Sequence, residues 1–453
     1  MANELKKKYG LLTAICMVVG IVVGSGVFFK AESILNHTGG DLKLGILAWI
    51  IGGAIMIVCA YAFAIMATKY EKVNGVVDYA DAMIGDKYGY IIGWFLSTIY
   101  YPTLTMALAW LSARYTLVLF FGSEADITGG LCFVLTAVYL IGSFALNSLS
   151  PVISGKFQVS TTFVKLIPLG LMAVVGTIYG LTKGYTVENF TTVVTEIPTS
   201  TAIFKAVCAT CFAYEGWIIA TSINAEIKNA KKNLPKALII GSFAIVAIYV
   251  LYYIGLAGAV PNAEMMANGQ AGAKHAFASV FGNIMGTGIF VFVIISCVGT
   301  LNGLMLGCSR GMYSIASRGR GPSPKIYSEV DKHTNMPTNS AIMALLLCIL
   351  WLFFFYCSQL SDFSDKLGMF AFDPTELPIV TIYPFYIPIF FRMMTKKDFK
   401  GFQRYVAPVL AILGSIFMVI AAVQAHGKMI PGYLVIFAIV MAIGLICMKK
   451  KKI

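Results

Sequence analysis

Three short stretches of this sequence place flexible or charged groups inside long apolar runs. A Gly-Ser-Gly triplet at residues 24–26 interrupts the first run, and Glu215 with Gly216 interrupts another at a similar depth. Lys165 stands alone in a third, within QVSTTFVKLIPLG. Glycine disfavours the helix, and a chain that leaves the helix frees N–H and C=O groups to bind charged groups of a ligand. A lysine inside an apolar run is costly and indicates a function.

The composition shows where these residues lie. The chain of 453 residues is 58% hydrophobic and 12% charged, with a mean hydropathy of +0.80. Ordinary soluble domains are far less apolar. Windows of about 20 apolar residues, enough to cross roughly 30 Å of hydrocarbon, recur along the chain. The sequence therefore predicts an all-α integral membrane protein that uses residues 1–453 as one transmembrane domain.

Twelve spans are predicted, joined by short connections. They are 10–36, 44–68, 88–121, 128–148, 156–181, 200–225, 236–260, 282–316, 338–358, 371–394, 404–425 and 430–448. The tenth contains four prolines and should be kinked or broken, with Asp373 and Glu376 at its start. Arg114 and Lys205 lie near the ends of their spans, where each can reach the headgroups.

The basic residues predict the orientation. Of the 34 Lys and Arg residues, 25 fall on the side that holds both termini. Because Lys and Arg accumulate in cytoplasmic loops, we expect both termini to be cytoplasmic. The net charge of +13 is spread over every inner loop, which indicates contact with the lipid bilayer and not nucleic-acid binding.

Signals for a catalytic or metal centre are missing. All ten cysteines fall in predicted spans, and Cys208 and Cys211 form a C-x-x-C pair with no histidine nearby in sequence. The four histidines are expected in loops. No H-E-x-x-H, G-x-S-x-G or P-loop motif is present. We expect no metal, no cofactor and no enzymatic activity.

The two interrupted spans stand at the start of two halves of five spans each. Such a pair indicates a secondary transporter built from inverted repeats, with its binding site between the repeats. N–H groups near Gly24 to Val27 would attract a carboxylate, whereas carbonyls near Val22 and Phe212 would attract an ammonium group. Together they would bind an amino acid. Alternatively, Gly20 and Gly24 have a G-x-x-x-G spacing that could serve helix packing alone.

The motifs carry a specific resemblance. GSGVF in the first span, AYEGW in the sixth, NAEIKNAKKNLPKAL at 224–238 and SCVGTLNGLMLGCSRGMYSIASRGRGP in the eighth are similar to the amino acid, polyamine and organocation superfamily, close to bacterial relatives of L-type amino acid transporters. The resemblance implies alternating access and a LeuT-like 5+5 inverted repeat with broken helices 1 and 6. The repeats would cover about 10–181 and 200–394, with peripheral helices at about 404–448.

The resemblance also implies site residues. Backbone at the first break would hold the substrate carboxylate, backbone at both breaks would surround its ammonium group, and two side chains of the sixth span would face the pocket. The substrate-binding residues expected in this way are Val22, Gly24, Ser25, Gly26, Val27, Phe212, Ala213, Tyr214 and Glu215. Trp217 is expected to be a gating aromatic on the outer side of the pocket.

Lys165 is the third part of the expected site. Relatives coupled to sodium bind that ion here, so the resemblance implies that the Lys165 ammonium replaces it against the carbonyls of the first span. The alternative is a structural lysine that extends to the headgroups.

The function implied is transport across the plasma membrane, by sodium-independent exchange of neutral L-amino acids, with alanine, serine or threonine as the first candidates. Glu215 leaves alternatives open: a partner for cationic amino acids or amines, a group that titrates with transported protons, or a carboxylate satisfied by nearby hydroxyls. A channel would need a more continuous polar lining. No obligatory protein partner is implied.

Overall fold

The computed structural model describes residues 6–24, 26–70, 74–121, 126–268 and 272–448. Over these ranges the chain is helical, and the β-structure consists of one isolated parallel bridge between Tyr9 and Ile227. The all-α class predicted from the composition is confirmed.

The long helices follow one another with short connections. In chain order they are α1 Leu11–Val22, α2 Gly26–His37, α3 Leu42–Ala67, α4 Asp86–Phe121, α5 Gly130–Leu149, α6 Pro151–Lys183, α7 Thr199–Tyr214, α8 Ala230–Ala259, α9 Asn283–Ser309, α10 Thr338–Leu360, α11 Ile379–Thr395, α12 Val406–His426 and α13 Ile430–Ile446. A 3-10 helix, Trp217–Glu226, follows α7.

Length and composition indicate which helices can cross a bilayer. In the described ranges nine helices are long and apolar enough to do so when α7 is counted together with the 3-10 helix after it, and α1, α11 and α13 are shorter apolar helices. The first predicted span is divided between α1 and α2, which have 12 residues each. At 1.5 Å per residue each is about 18 Å long, so neither crosses the hydrocarbon alone.

The tenth predicted span begins later than expected. The sequence predicts residues 371–394, but α11 begins at Ile379, directly after Pro378, and residues 374–378 form turns. Proline is accepted at the start of a helix because the first N–H groups have no intrahelical acceptor. Pro384 and Pro388 lie inside α11.

Three of the long helices contain a π-helical turn, at residues 96–100 of α4, 172–176 of α6 and 356–360 of α10. Such turns insert a residue into the helical ladder and often occur at functional sites. The turn in α4 carries Tyr100, which reaches the centre of the molecule.

Glycine allows α1 and α6 to approach each other. A Cβ atom on Gly20 would overlap the side chains of Thr162 and Gln158 of α6. Because α6 lies so close to the end of α1, the side chain of Lys165, one turn further along α6, reaches the interruption between α1 and α2.

Candidate functional site

The interruption of the first span lies between α1 and α2. α1 ends at Val22, and the amide of Gly24 donates to the Val22 carbonyl over 2.8 Å. Ser25, one of the expected site residues, lies outside the described residues. α2 then begins at Gly26. The first N–H groups of α2 have no intrahelical acceptor, so they are available at this point.

The interruption of the sixth predicted span follows α7. Tyr214 is the last helical residue, Glu215 is extended, and Gly216 has φ 101° and ψ −16°. This left-handed backbone favours glycine because a side chain would clash there. The chain then continues as the 3-10 helix.

The two interruptions touch each other. A Cβ atom on Gly26 would lie 2.8 Å from the Cα atom of Ala213, and one on Gly216 would lie 2.8 Å from Cγ2 of Ile21. At both places only glycine fits without moving the neighbouring chain. The four helical ends therefore meet at one point within the bundle.

Tyr249 of α8 connects the two interruptions, and no motif in the sequence pointed to it. Its hydroxyl lies 3.0 Å from the carbonyl oxygens of both Val22 and Ala213. A hydroxyl has one proton, so it donates to one of these carbonyls at a time. The carbonyls of Val22 and Ala213 are among those expected to bind the ammonium group of the substrate. The Tyr249 hydroxyl and that ammonium group would therefore share the same two carbonyls.

A cavity of about 30 Å³ lies where the helical ends meet. Several expected site residues line it, and α4 and α9 supply the opposite wall. The lining consists of Ile21, Val22, Gly24, Gly26, Leu104, Leu108, Phe212, Glu215, Gly216, Thr300 and Leu304. Apolar side chains from α4 and α9 therefore face backbone and one carboxyl group.

Other expected residues do not line this cavity. Val27 and Ala213 are buried in the packing around it. Tyr214 points towards α3, where its hydroxyl donates to the Trp49 carbonyl over 2.9 Å and its ring meets the Trp49 ring edge to face at 5.6 Å. Its role in the structure is helix packing.

Trp217 also differs in placement from the expectation. It is buried, and its ring lies 5.9 Å from that of Phe63 in the last part of α3. This is beyond the interruption, on the side where the 3-10 helix runs to Glu226, and not on the side of α2. The aromatic residue on the α2 side of the cavity is Phe212. The order of residues along a broken helix does not show which side chain caps the cavity.

Glu215 is bonded to tyrosines. The hydroxyl of Tyr100 donates to its carboxylate, and Tyr383 of α11 and the Gly216 amide lie close to it. Neither tyrosine was identified from the sequence, since both lie in apolar runs rich in aromatics. The π turn in α4 and the late start of α11 bring them to the carboxyl group.

Lys165 is fully buried. Its Nζ atom donates to the carbonyls of Gly20 over 2.8 Å, Val23 over 2.7 Å and Ser296 over 3.1 Å, and lies 3.1 Å from Oγ1 of Thr300. The side chain thus does not extend to the headgroups. The ammonium occupies a ring of four oxygens contributed by α1, the residue after it, and α9.

This geometry can be compared with known proteins. The family model described as amino acid permease matches residues 9–446. The chain belongs to the amino acid permease family. The membership of the amino acid, polyamine and organocation superfamily predicted from the motifs is thereby confirmed, and the protein is a multi-pass membrane protein of a family that transports amino acids.

Several curated relatives resemble the permease over most of its length. The serine/threonine exchanger SteT of Bacillus subtilis is 31% identical over 428 residues, which cover 92% of this chain and 91% of the relative. The human cystine/glutamate transporter is 30% identical over 77% of this chain and 68% of its own. The b(0,+)-type amino acid transporter 1 of Mus musculus is 24% identical over 96% of this chain and 86% of its own.

A solved structure shows the fold. The crystal structure of MhsT in complex with L-phenylalanine has a TM-score of 0.55 to the permease, at 14% identity, over 93% of this chain and all of the other. At this identity the likeness concerns the fold alone, and it supports the LeuT-like fold implied by the motifs.

A larger cavity of about 590 Å³ adjoins the small one in the permease and shares Gly26 and Phe212 with it. We call this cavity the vestibule. Its walls come from α2, α4, α7, the end of α10 and the turn before α11, and its charged lining residues are Lys30, Glu32, Arg114, Asp373 and Glu376. The sequence assigned Arg114 to the headgroups, but it lines the vestibule with its guanidinium over the Trp110 ring at 5.4 Å.

Two helices and the turn before α11 meet through charged groups at the vestibule. Lys30 of α2 lies 2.8 Å from Oε1 of Glu376, and Nε2 of His426, at the end of α12, lies 3.2 Å from Oε2. Lys30 also stands over the Phe212 ring at 5.3 Å. Phe212 and this cluster of charges therefore form one unit above the small cavity. We name Lys30, Glu376 and His426 the vestibule cluster.

The opposite end of the cavity is closed. Glu226, the last residue of the 3-10 helix, is buried, accepts from Nε of Arg310, and lies 3.4 Å from Nζ of Lys8. Its carbonyl oxygen accepts the amides of Lys8 and Tyr9 over 2.7 and 3.0 Å. The segment before α1 is thus bound to the residue that ends the 3-10 helix. We name Lys8, Glu226 and Arg310 the closed-end cluster.

Three of the four histidines lie in helices and not in the expected loops: His37 and His426 end α2 and α12, and His275 lies in the short helix Gly272–Phe281. Within the described ranges, no group of three or more His, Cys, Asp and Glu residues could hold a metal ion.

Proposed function

We propose that this permease is a sodium-independent exchanger of small neutral L-amino acids, with serine, threonine and alanine as the first candidates. The observation that carries the proposal is the meeting of two helical interruptions at a small cavity that adjoins an open vestibule. An amino acid has opposite charges on neighbouring atoms. The helical ends that meet at the two interruptions likewise offer N–H groups and carbonyls close to each other.

In this proposal the carboxylate of the substrate binds the N–H groups of Gly26 and Val27 at the start of α2, together with the backbone of Gly24 and Ser25 before it, and the Gly24 amide exchanges its bond to the Val22 carbonyl for one to the substrate. Its ammonium binds carbonyls near Val22, Phe212 and Ala213. The polar contact to Val22 and Ala213 that Tyr249 makes in the structure supports this, because it shows that both carbonyls have a lone pair directed into the same space.

The size of the substrate side chain follows from the apolar wall. Leu104, Leu108 and Leu304 leave a cavity of about 30 Å³, and among the described lining residues Thr300 carries the one hydroxyl. A side chain of one to three heavy atoms suits this space better than an aromatic one. The printed name of the relative SteT, a serine/threonine exchanger, agrees with this choice.

Sodium independence rests on Lys165. Its ammonium takes up the oxygens of Gly20, Val23, Ser296 and Thr300, so these oxygens already have a cationic partner. A sodium ion would be repelled from the same ring by the lysine charge.

The proposed architecture has twelve transmembrane helices, with α1 and α2 counted as one broken span and α7 and the 3-10 helix as another. The inverted repeats are proposed at about 10–181 and 200–394, with α12 and α13 peripheral. Both termini are proposed to be cytoplasmic in the plasma membrane, so that the vestibule faces the extracellular side. All site residues belong to this chain, and the proposal requires no second protein.

A second candidate function is uptake coupled to protons, or exchange of cationic amino acids or amines. Glu215 favours it, because this carboxyl group lines the cavity itself. The contacts of Tyr100 and Tyr383 with Glu215 support the first proposal instead, since hydroxyl donors already satisfy the carboxylate.

Counterflow in proteoliposomes tests both functions. The purified permease is reconstituted into vesicles loaded with unlabelled serine, and the uptake of labelled serine is measured with and without sodium and with and without an inward proton gradient. Exchange predicts uptake that needs internal serine and neither gradient. Uptake that ignores internal serine but needs protons would establish the second candidate, and uptake that needs sodium would contradict the role of Lys165.

A further inference from the structure

A second large cavity lies away from the substrate site, between α4, α10 and α13. It has a volume of about 620 Å³ and is lined almost entirely by apolar side chains, among them Trp94, Leu347, Trp351 and Val440. We call it the lateral groove. Leu350 and Phe353 on its rim are 62% and 66% exposed on the apolar surface of α10. The lateral groove therefore opens towards the lipid.

The polar groups of the lateral groove bond within the protein. Nε1 of Trp94 donates to the Val440 carbonyl over 2.9 Å, and Nε1 of Trp351 donates to the Thr98 carbonyl over 2.7 Å. The Thr98 hydroxyl donates to the Trp94 carbonyl over 2.7 Å. These donors are already engaged, so the surface suits hydrocarbon better than a ligand that needs hydrogen bonds.

The shape of the groove is elongated. Along α10 its lining runs from Met343 to Cys357, a rise of about 21 Å at 1.5 Å per residue. This is more than half of the roughly 30 Å of hydrocarbon in a bilayer. One acyl chain lying along α10 would match this length.

One end of the groove is basic. Pro322 lines that end, and Lys325 follows it on an exposed surface. Arg320 is paired with Asp86 over 2.5 Å, and Lys87 beside this pair is exposed. With Asp81, which also acts on Arg320, three of the five charges are positive, so the surroundings still favour a negative headgroup. With the proposed orientation this end faces the cytoplasmic leaflet, whose surface is negatively charged.

We propose that the lateral groove binds one acyl chain of an anionic phospholipid, with the headgroup near Lys87 and Lys325. The chain would stabilise the part of α4 that connects the groove to the substrate site. Trp94 and Thr98 line the groove. The π turn at residues 96–100 of α4 contains Thr98 and also Tyr100, which donates to Glu215. Lipid in the groove would thereby hold Tyr100 against Glu215.

Tryptophan fluorescence measures this binding, because bromine atoms on an acyl chain quench tryptophan by contact. The chain has five tryptophans. Trp94 and Trp351 line the groove, whereas Trp49, Trp110 and Trp217 are buried elsewhere. The permease is reconstituted in phosphatidylcholine that contains the same fraction of brominated phosphatidylglycerol or brominated phosphatidylcholine. We expect stronger quenching by the anionic lipid, which competes about five-fold better for each lysine near the headgroup.

Matched variants assign the quenching to the groove. Leu347→Phe narrows the groove, and Leu346→Phe makes the same change on the neighbouring lipid-facing surface of α10, where Leu346 is 56% exposed. Leu347→Phe should abolish the excess quenching, and Leu346→Phe should keep it. Lys325→Gln should reduce the preference for the anionic lipid by about five-fold.

Three outcomes would overturn the proposal. Equal quenching by both lipids in the parent and in Leu347→Phe would show ordinary lipid contact only. A second copy of the chain in the groove would appear as a mass change in light scattering that Leu347→Phe alone removes. If binding holds but serine exchange is equally fast with and without phosphatidylglycerol, the connection to Tyr100 is wrong. The quenching measurement does not depend on transport. It therefore tests lipid binding in the groove even if the proposed substrate is incorrect.

Discussion

The two ends of the substrate cavity hold their charged residues in opposite ways. In the vestibule cluster the side chains of Lys30 and Glu376 are each 24% exposed. In the closed-end cluster the side chains of Glu226 and Arg310 are 0% and 1% exposed. A pair that water can reach exchanges partners at little cost, whereas a buried pair leaves an uncompensated charge when it separates. The closed end should therefore control which side of the cavity opens.

The backbone contacts at the two ends differ as well. At the closed end, amides of Lys8 and Tyr9 donate to the Glu226 carbonyl, and the Lys228 amide donates to the Tyr9 carbonyl over 2.8 Å. These bonds tie the segment before α1 to the chain after the 3-10 helix. At the vestibule, α2 and the turn before α11 are connected by the ion pair of Lys30 with Glu376. Opening of the closed end thus requires α1 and the 3-10 helix to lose backbone bonds together.

The largest effect on transport is expected at the interruption between α1 and α2, which lies between the two ends of the cavity. Gly26→Val should abolish transport, because a Cβ atom there would already lie 2.8 Å from the Ala213 backbone and further atoms would enter the cavity. Gly170→Val is the matched control, since a Cβ atom on Gly170 meets nothing within 4 Å. Serine exchange of both purified variants provides the measurement. Normal exchange by Gly26→Val would remove this interruption from the substrate site.

The next effect concerns the buried charges of the closed end. Glu226→Gln leaves Arg310 buried without its carboxylate, which should destabilise the closed end by about 3–5 kcal/mol. Ser222→Cys, in the buried 3-10 helix, reports the opening through its rate of alkylation by an impermeant maleimide, read by peptide mass spectrometry. We expect the rate to rise by at least about 100-fold in the Glu226→Gln background.

Glu329→Gln serves as the matched control for Glu226→Gln, because Glu329 is exposed. It should leave the alkylation rate at Ser222→Cys unchanged. Equal rates in all three backgrounds would show that the closed-end cluster does not hold this end shut.

The sequence predicted the features that a local pattern can carry. Apolar runs reveal a helical membrane protein, and glycine beside polar residues in two corresponding runs reveals the interruptions. Side chains that meet across the bundle have no such pattern. Tyr249 looks like any aromatic residue of an apolar helix, yet its hydroxyl reaches both interruptions. Lys30 looks like any lysine near the end of a predicted span, yet it lies in α2 over the Phe212 ring.

The side of the cavity to which a side chain points was equally hard to predict. Trp217 and Phe212 flank the same interruption, and the sequence favoured Trp217 as the gating aromatic. Phe212 lies in α7 before the interruption and faces the vestibule, whereas Trp217 begins the 3-10 helix after it and packs against Phe63. The spacing of the two residues in the sequence does not show which of them lies on the vestibule side.

A third effect is expected at Lys165, between the two ends. Lys165→Ala removes the cation from the carbonyls of Gly20, Val23 and Ser296, and an unsatisfied buried group costs about 1–3 kcal/mol. We expect exchange to slow by about ten-fold or more while serine still raises the melting temperature, because the substrate carbonyls and N–H groups remain. Lys205→Ala is the control, since Lys205 is exposed. Loss of serine binding together with exchange would assign Lys165 to the substrate site itself.

The smallest effect on stability is expected in the vestibule cluster. It is measured with Glu376→Gln, which can be compared directly with Glu226→Gln. Glu376→Gln removes the same charge as Glu226→Gln, but water reaches Lys30 and His426, so the change should cost about 1 kcal/mol or less. Thermal unfolding in one detergent compares the two variants. We expect Glu376→Gln to melt close to the parent and Glu226→Gln well below it, with exchange by Glu376→Gln within about five-fold of the parent. Equal destabilisation by both would mean that solvation does not distinguish the two ends, and that the vestibule cluster is held as firmly as the closed-end cluster.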